Sequence, residues 1–259
     1  MCGQIGPFDS RWAGNGMDLR CLQRYDVSSL GGISNLQVNS ITLRVFSAGI
    51  VDPFWNFSGN TLHPEIHPIS AANRNWVEGP SNPPLGGDGL FAIQGMNCWN
   101  AKVTGLDNGV PYALEPWAGS PGLHTPGVDY DAAMMATRSL TYDDLKTVGA
   151  PVDFTFSGTS AQLTNLINSW LVDNYELHRD NPGLLFLNPV ADPYAPGLNQ
   201  RMQFYSKHPW TPYDMWPEYH PEWLPQLIVN YTQVPEHGTW ALLASSSLAL
   251  LAFAWRKRW

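Results

Sequence analysis

The sequence predicts an all-β protein: one β-sandwich carrying a single short amphipathic helix, followed by a separate apolar segment at the C-terminus. Three observations lead there. The 259 residues include 23 glycines and 22 prolines, a density that breaks long helices and favours short strands joined by turns. Two segments alternate apolar and polar side chains, and only one stretch changes to helical period. A sandwich of this length usually forms one core, and the sequence has no internal repeat or sign of a second core. The body, residues 1–233, is therefore expected to be one domain, with 234–259 as a distinct tail.

The elements follow in order. In "MDLRCLQRYDVSSL", Leu19, Cys21, Tyr25 and Val27 fall on one side of a strand, with Asp18, Arg20, Arg24 and Asp26 mostly on the other. "VNSITLRVF" repeats the pattern more cleanly, Ile41, Leu43 and Val45 alternating with Ser40, Thr42 and Arg44. Gly31 and Gly32 supply the turn between them. The next stretch is cut into short pieces by Asp52-Pro53, Ser58-Gly59, Asn82-Pro83 and Gly86-Gly87. From about Thr104 to Ala150 the chain is expected to stay irregular, with Asn108-Gly109, Ser120-Pro121-Gly122 and Thr125-Pro126-Gly127. Such long loops lie on the surface and often carry function.

Val152, Phe154 and Phe156 read as a strand. Leu163, Leu166, Ile167, Trp170 and Leu171 then recur at i, i+3, i+4, i+7 and i+8, which predicts a helix of about three turns with Ser157 or Thr159 as its cap. Its apolar stripe is expected to cover one end of the sandwich. "GLLFLN", "RMQFYSK" and "PQLIVNYT" read as three closing strands.

Charge narrows the partners. The chain carries a net −8, and without the tail's three bases and one acid the 14 bases and 22 acids become 11 and 21, so the body carries −10. Such a surface repels phosphate backbones, and no basic stripe with interleaved aromatics is present, which argues against nucleic acid as a partner. Cys2, Cys21 and Cys98 are an odd three without C-x-x-C spacing. A Cys21–Cys98 bridge in an oxidising compartment stays open.

The tail has no charge from Trp240 to Trp255. As a helix this run spans roughly 24 Å, short of a hydrocarbon core of roughly 30 Å, and flanking tryptophans and snorkelling arginines make up the difference. The alternative is a buried core helix, but a basic cluster beside a terminal tryptophan argues against it. Pro235 breaks regular structure before the run and Gly238 loosens the junction. By the positive-inside rule Arg256, Lys257 and Arg258 stay on the cytoplasmic side and the body lies outside. Val234-Pro235-Glu236, an apolar helix and Arg256-Lys257-Arg258 together resemble a PEP-CTERM sorting tail, the signal that bacterial exosortases recognise and cut. His237 departs from the pattern, standing where that family usually has a second proline. The resemblance implies an exosortase-type processing enzyme as partner, transient residence in the inner membrane through the helix, and final delivery to the cell surface or matrix. "MCGQIGPFDSRWAGNG" has neither a basic n-region nor an apolar h-region, so the true start, with its leader, is expected to lie upstream.

A second resemblance spans roughly Arg11 to Thr232. "LRCLQRYDVSSL", "VNSITLRVF", "NRNWVEG", "CWNAK", "NLINSWLVDN", "NPGLLFLNP", "RMQFYSK" and "PQLIVNYT" occur in the order seen in DNRLRE-type domains, extracellular jelly-roll sandwiches related to some carbohydrate-binding modules. It implies a jelly-roll-like topology and a glycan ligand. One departure is expected: the N-terminal strand that family members carry before the position of Asp18 is missing or degraded here.

Candidate sites are weighed against plainer readings. His63, Glu65 and His67 in "HPEIHP" would face one way on a strand and suit zinc, but Pro64 and Pro68 spoil a ladder, so polar edge-strand residues are the plainer reading. Trp76, Glu78 and Trp99 fit a sugar platform less well than a framework packed against the core. Trp55, Trp117, Trp210, Tyr213, Trp216 and Trp223 lie in loops and are the better ligand-binding candidates; the alternative is that they pin those loops. "HPWTPYDMWPEYHPEW" is either a preformed binding surface stiffened by prolines or a cover over the sandwich. No cofactor is indicated, although a structural calcium fits the loop oxygens of Asp129, Asp131, Asp173, Asn174 and Asp180, which lack EF-hand or repeat spacing. No nucleophile, zincin, Walker or dinucleotide motif occurs. The sequence therefore points to an exported, non-catalytic envelope or matrix protein, glycan-binding or structural. The alternative is a secreted polysaccharide-active enzyme whose carboxylate pair is distant in sequence.

Overall fold

The computed structural model describes residues 4–9, 16–19, 21–49, 61–74, 76, 101–107, 110–120, 123–171, 181–187, 202–205, 221–234 and 247–248. In chain order the strands are β1 (Gln4–Asp9), β2 (Gly16–Leu19), β3 (Cys21–Gln23), β4 (Leu36–Phe46), β5 (Glu65–Pro68), β6 (Ala101–Asp107), β7 (Val110–Pro116), β8 (Ala136–Thr137), β9 (Pro151–Thr155), β10 (Leu184–Leu187), β11 (Met202–Gln203) and β12 (Gln226–Gln233). The α-helices are α1 (Tyr142–Leu145) and α2 (Ser160–Leu171). Every ladder between these strands is antiparallel.

Two sheets build the main core, as in a β-sandwich. One has the order β12-β4-β9 and the other β3-β10-β5-β8. Ile41, Leu43 and Val45 alternate inward along β4, fully buried, and meet Val152 and Phe154 of β9 with Ile66, Leu184 and Phe186 of the facing sheet. Each such burial contributes about 1.5–3 kcal/mol, so period two in this segment fixes which face turns inward. The outward residues pair across strands: Thr42 with Thr155 at 3.1 Å between hydroxyls, and Arg44 with Asp153 through two bonds of 2.7 Å. Phe186 and Phe204 stack at 5.3 Å where β11 approaches the core.

Helix α2 lies against β4. Leu163, Ile167 and Trp170 are its buried stripe, and Thr159 is the cap: its hydroxyl accepts from the Gln162 amide at 3.3 Å while the Gln162 side chain accepts from the Thr159 amide at 2.9 Å. Ser157 instead donates to the Met135 carbonyl. Past the reach of β9, the backbone of Val38 is satisfied by the helix. Thr164 accepts from its N–H at 2.8 Å and the Ser160 hydroxyl donates to its carbonyl.

Several expectations need correction. The stretch from Thr104 to Ala150 is irregular only in its later part: up to Pro116, β6 and β7 form a hairpin in which Asp107 pairs with Val110. Between those paired residues the sequence has Asn108-Gly109, a dipeptide that two-residue hairpin loops favour, which lies outside the described residues. The prolines of "HPEIHP" bracket a strand instead of spoiling one. β5 is an interior strand between β10 and β8, with Pro68 at its end accepting from the Asp131 amide and the Pro64 carbonyl accepting from the Thr137 hydroxyl. A strand does precede Asp18, since β1 pairs with both β2 and β11. The ladder of β3 ends at Gln23, although Tyr25 and Val27 remain buried beyond it.

The expectation of one core also fails. Ile69, Trp76, Trp117, Leu123, Leu185 and Leu187 form a second apolar cluster. Leu184 and Phe186 enter the main core, Leu185 and Leu187 the second, so β10 is buried on both faces. This is why "GLLFLN" shows no alternation. The helix expected within 234–259 lies outside the described residues apart from Val234 and residues 247–248, the latter helical. Among the described residues no helix is long and apolar enough to cross a membrane.

Candidate functional site

Trp223 stands at the rim of the main sheet. It ends a short 3-10 turn, Pro221–Trp223, just before β12, and is half-buried. Its indole meets the Tyr205 ring at 5.0 Å with 56° between planes. Beneath it is Gly149, where a Cβ would stand 2.5 Å from Cε2 and Cζ2. Two neighbours from distant parts of the chain therefore hold one partly exposed indole in a fixed orientation, the condition under which an aromatic face offers a ligand area at low entropic cost.

The other loop aromatics separate. Trp117 is 6% exposed inside the second cluster, so it is a packing residue with no face to offer a sugar ring, a correction to its place among the ligand-binding candidates. Trp55, Trp210, Tyr213 and Trp216 lie outside the described residues, as do Glu78 and Trp99. Trp76 is the framework residue expected: it is 1% exposed and donates from Nε1 to the Pro182 carbonyl at 2.8 Å. Arg24 covers it, its guanidinium 4.1 Å above the ring and donating to the Trp76 carbonyl at 2.6 Å and to that of Arg74.

The metal candidates are occupied by protein partners. His67 is 3% exposed, its Nδ1 2.9 Å from the Asp131 carbonyl oxygen and its Nε2 3.0 Å from Glu65 Oε2. Both ring nitrogens are thus engaged, and the ring lies 4.7 Å from that of Tyr130. His63 faces Ser139 at 3.1 Å. Among the described residues no three His, Cys, Asp or Glu side chains are grouped to hold a metal ion.

Asp129, a calcium candidate, is fully buried and accepts four bonds. Oδ1 takes the Gly119 amide at 2.9 Å and Asn73 Nδ2 at 3.0 Å; Oδ2 takes the Ser120 amide at 3.1 Å and the Thr125 amide at 2.9 Å. A carboxylate has about four lone-pair sites, so none is left for a cation. Burial alone would raise this carboxyl's pKa, but the amides of Thr125, Gly119 and Ser120 with the Asn73 side chain outweigh it and hold the group below the usual carboxylate value. Asp131 Oδ1 accepts from the Ala133 amide at 2.8 Å and the Met134 amide at 3.2 Å. Asp173, Asn174 and Asp180 lie outside the described residues.

The sequence reading missed the Asp129–Asn73 and Arg24–Trp76 pairings. Their members lie 56 and 52 residues apart, and no local pattern signals them. Of the tail motif, Val234 is described: it is 42% exposed and its amide donates to the Asn35 carbonyl at 3.1 Å. Pro235, Glu236, Arg256, Lys257 and Arg258 lie outside the described residues.

No family model, no curated protein and no solved structure matches the chain.

Proposed function

We propose that this protein is an exported, non-catalytic component of the cell envelope or extracellular matrix, a jelly-roll-like sandwich that binds glycan at the Trp223–Tyr205 rim. Its tail is read as a PEP-CTERM-like signal cut by an exosortase-type enzyme. The observation that carries the binding reading is the seating of Trp223, partly exposed and held by Gly149 and Tyr205. Charge favours neutral sugars. Arg44, Arg138 and Lys146 are each spent on an aspartate, Asp153, Asp144 and Asp143, and the body is acidic, so an anionic polysaccharide meets repulsion.

The test is a glycan array scored together with reducing-sugar release, on the full chain and on Trp223→Ala. Retention without release, lost in the variant while the thermal unfolding transition persists, is the expected result. Release abolished by a single Asp or Glu substitution would replace this reading with the polysaccharide-active enzyme. Intact-mass analysis of protein from the native host tests the tail, with loss of residues after about Val234 expected.

A further inference from the structure

We propose that the end of β12 is a clamp that keeps the junction between body and tail closed to a peptidase until the strand end frays. The inference rests on the sorting reading of Val234-Pro235-Glu236 and names how that site is regulated. After a register shift between Asn230 and Tyr231, β12 stays paired with β4 to its last residue, Gln233 opposite Leu36. Two further bonds extend the attachment: Gln233 Nε2 donates to the Ser34 hydroxyl at 3.1 Å, and the Val234 amide donates to the Asn35 carbonyl at 3.1 Å. Asn35 has φ of 52°, a left-handed conformation that asparagine tolerates better than most residues, and it turns that carbonyl back onto the strand end. The pairing with β4 and its turn therefore reaches the first residue of the motif, with no slack before it.

The space beyond is short. Five residues, Pro235 to Thr239, separate Val234 from the uncharged run beginning at Trp240, and fully extended they reach at most about 18 Å. If that run enters the bilayer, the clamp lies within that distance of it. Peptidases commonly take substrate as an added extended strand, and the residues on the body side of the motif are already paired on one edge. Cleavage breaks one C–N bond, passing the acyl carbon to water or an acceptor amine while the departing nitrogen takes a proton. To place that bond in an active site, an enzyme acting at or before Pro235 has to bind the opened form, so its rate follows the population of the frayed strand end.

The experiment uses the full chain and a broad-specificity soluble endopeptidase, with cut sites read by mass. The wild type is expected to be cut only beyond Val234. Ser34→Ala with Gln233→Ala removes one clamp bond at two exposed positions, and cutting between Asn230 and Val234 should rise about threefold to tenfold, the ratio one net hydrogen bond represents. Val234 amide exchange should accelerate by the same factor. Equal cutting on both sides of Val234 in the wild type, or an unchanged pattern and exchange rate in the double variant, overturns the clamp. In the native host, a Gly-Ser-Gly-Ser insertion between Val234 and Pro235 should speed removal of the tail, and an unchanged rate counts against regulation by the clamp. If the wild-type host protein keeps its tail, the sorting reading fails, while the soluble-peptidase pattern still decides the clamp.

Discussion

The α-carbon of Gly149 lies directly against the indole of Trp223, and a Cβ at that glycine would stand 2.5 Å from two ring carbons. Gly149 also has φ of 76°, a conformation in which an L side chain is strained. Gly149→Ala therefore meets two penalties at once, a strained backbone and a Cβ that overlaps the Trp223 ring and forces it to shift. We expect a loss of about 1–3 kcal/mol in urea unfolding, and loss of glycan retention if Trp223 forms the ligand surface. An unchanged unfolding midpoint would show that the indole is not fixed by this contact.

Asp129 makes stability depend on acid. Its folded carboxyl titrates below the ordinary value because four N–H donors hold the charged form. The unfolded chain binds the proton more readily, so the contribution is complete above the ordinary aspartate value near 4 and is lost as pH falls through the depressed one. Asp144, bonded by Thr141, and Asp153, bonded by Arg44, shift the same way. Asp129→Asn should remove part of this acid sensitivity while lowering stability near neutral pH by about 3 kcal/mol. Its amide nitrogen leaves buried donors on Ser120 or Thr125 without an acceptor. Unfolding free energy measured between pH 3 and 7 for both proteins checks the slope.

What could be read in the sequence was what repeats locally. The alternation at Ile41, Leu43 and Val45 and the stripe Leu163, Ile167 and Trp170 appear in the structure as the inward faces of β4 and α2, because burial itself imposes those periods. The hairpin of β6 and β7 had a marker in the dipeptide Asn108-Gly109, yet its strands carry Gly105, Pro111 and two register shifts that hide any alternation. β10 gave a run of apolar residues without saying that both faces would be covered. The second cluster depends on Trp76, Trp117 and Leu123 returning from loops, and the seat of Trp223 depends on Gly149 and Tyr205, neighbours that spacing along the chain does not reveal.

The two-sided burial of β10 can be separated from an ordinary sandwich by mutation. If one face of the sheet were open to water, Leu184→Ala would be costly and Leu185→Ala nearly free. Both residues are 0% exposed here, on opposite sides of the strand. Each substitution should therefore cost about 2–5 kcal/mol in chemical denaturation. Small loss at Leu185 alone would mean that the second cluster is loosely packed and not a true core.

Arg24 joins the end of β3 to that second cluster through the flat face of its guanidinium, which lysine lacks. Its planar guanidinium lies 4.1 Å above the Trp76 ring and also donates to the carbonyls of Arg74 and Trp76. One guanidinium nitrogen serves both carbonyls, and an ammonium has donors enough for the same two bonds, but it is a compact, strongly hydrated charge with no planar face to lay on the indole. Arg24→Lys should lower stability by about 1–2 kcal/mol despite keeping the charge. A double-mutant cycle with Trp76→Phe isolates the stacking contribution, although Phe also loses the Nε1 bond to Pro182. That loss occurs in both arms of the cycle and cancels from the coupling energy, so a coupling near zero would mean that Arg24 acts through its carbonyl bonds alone.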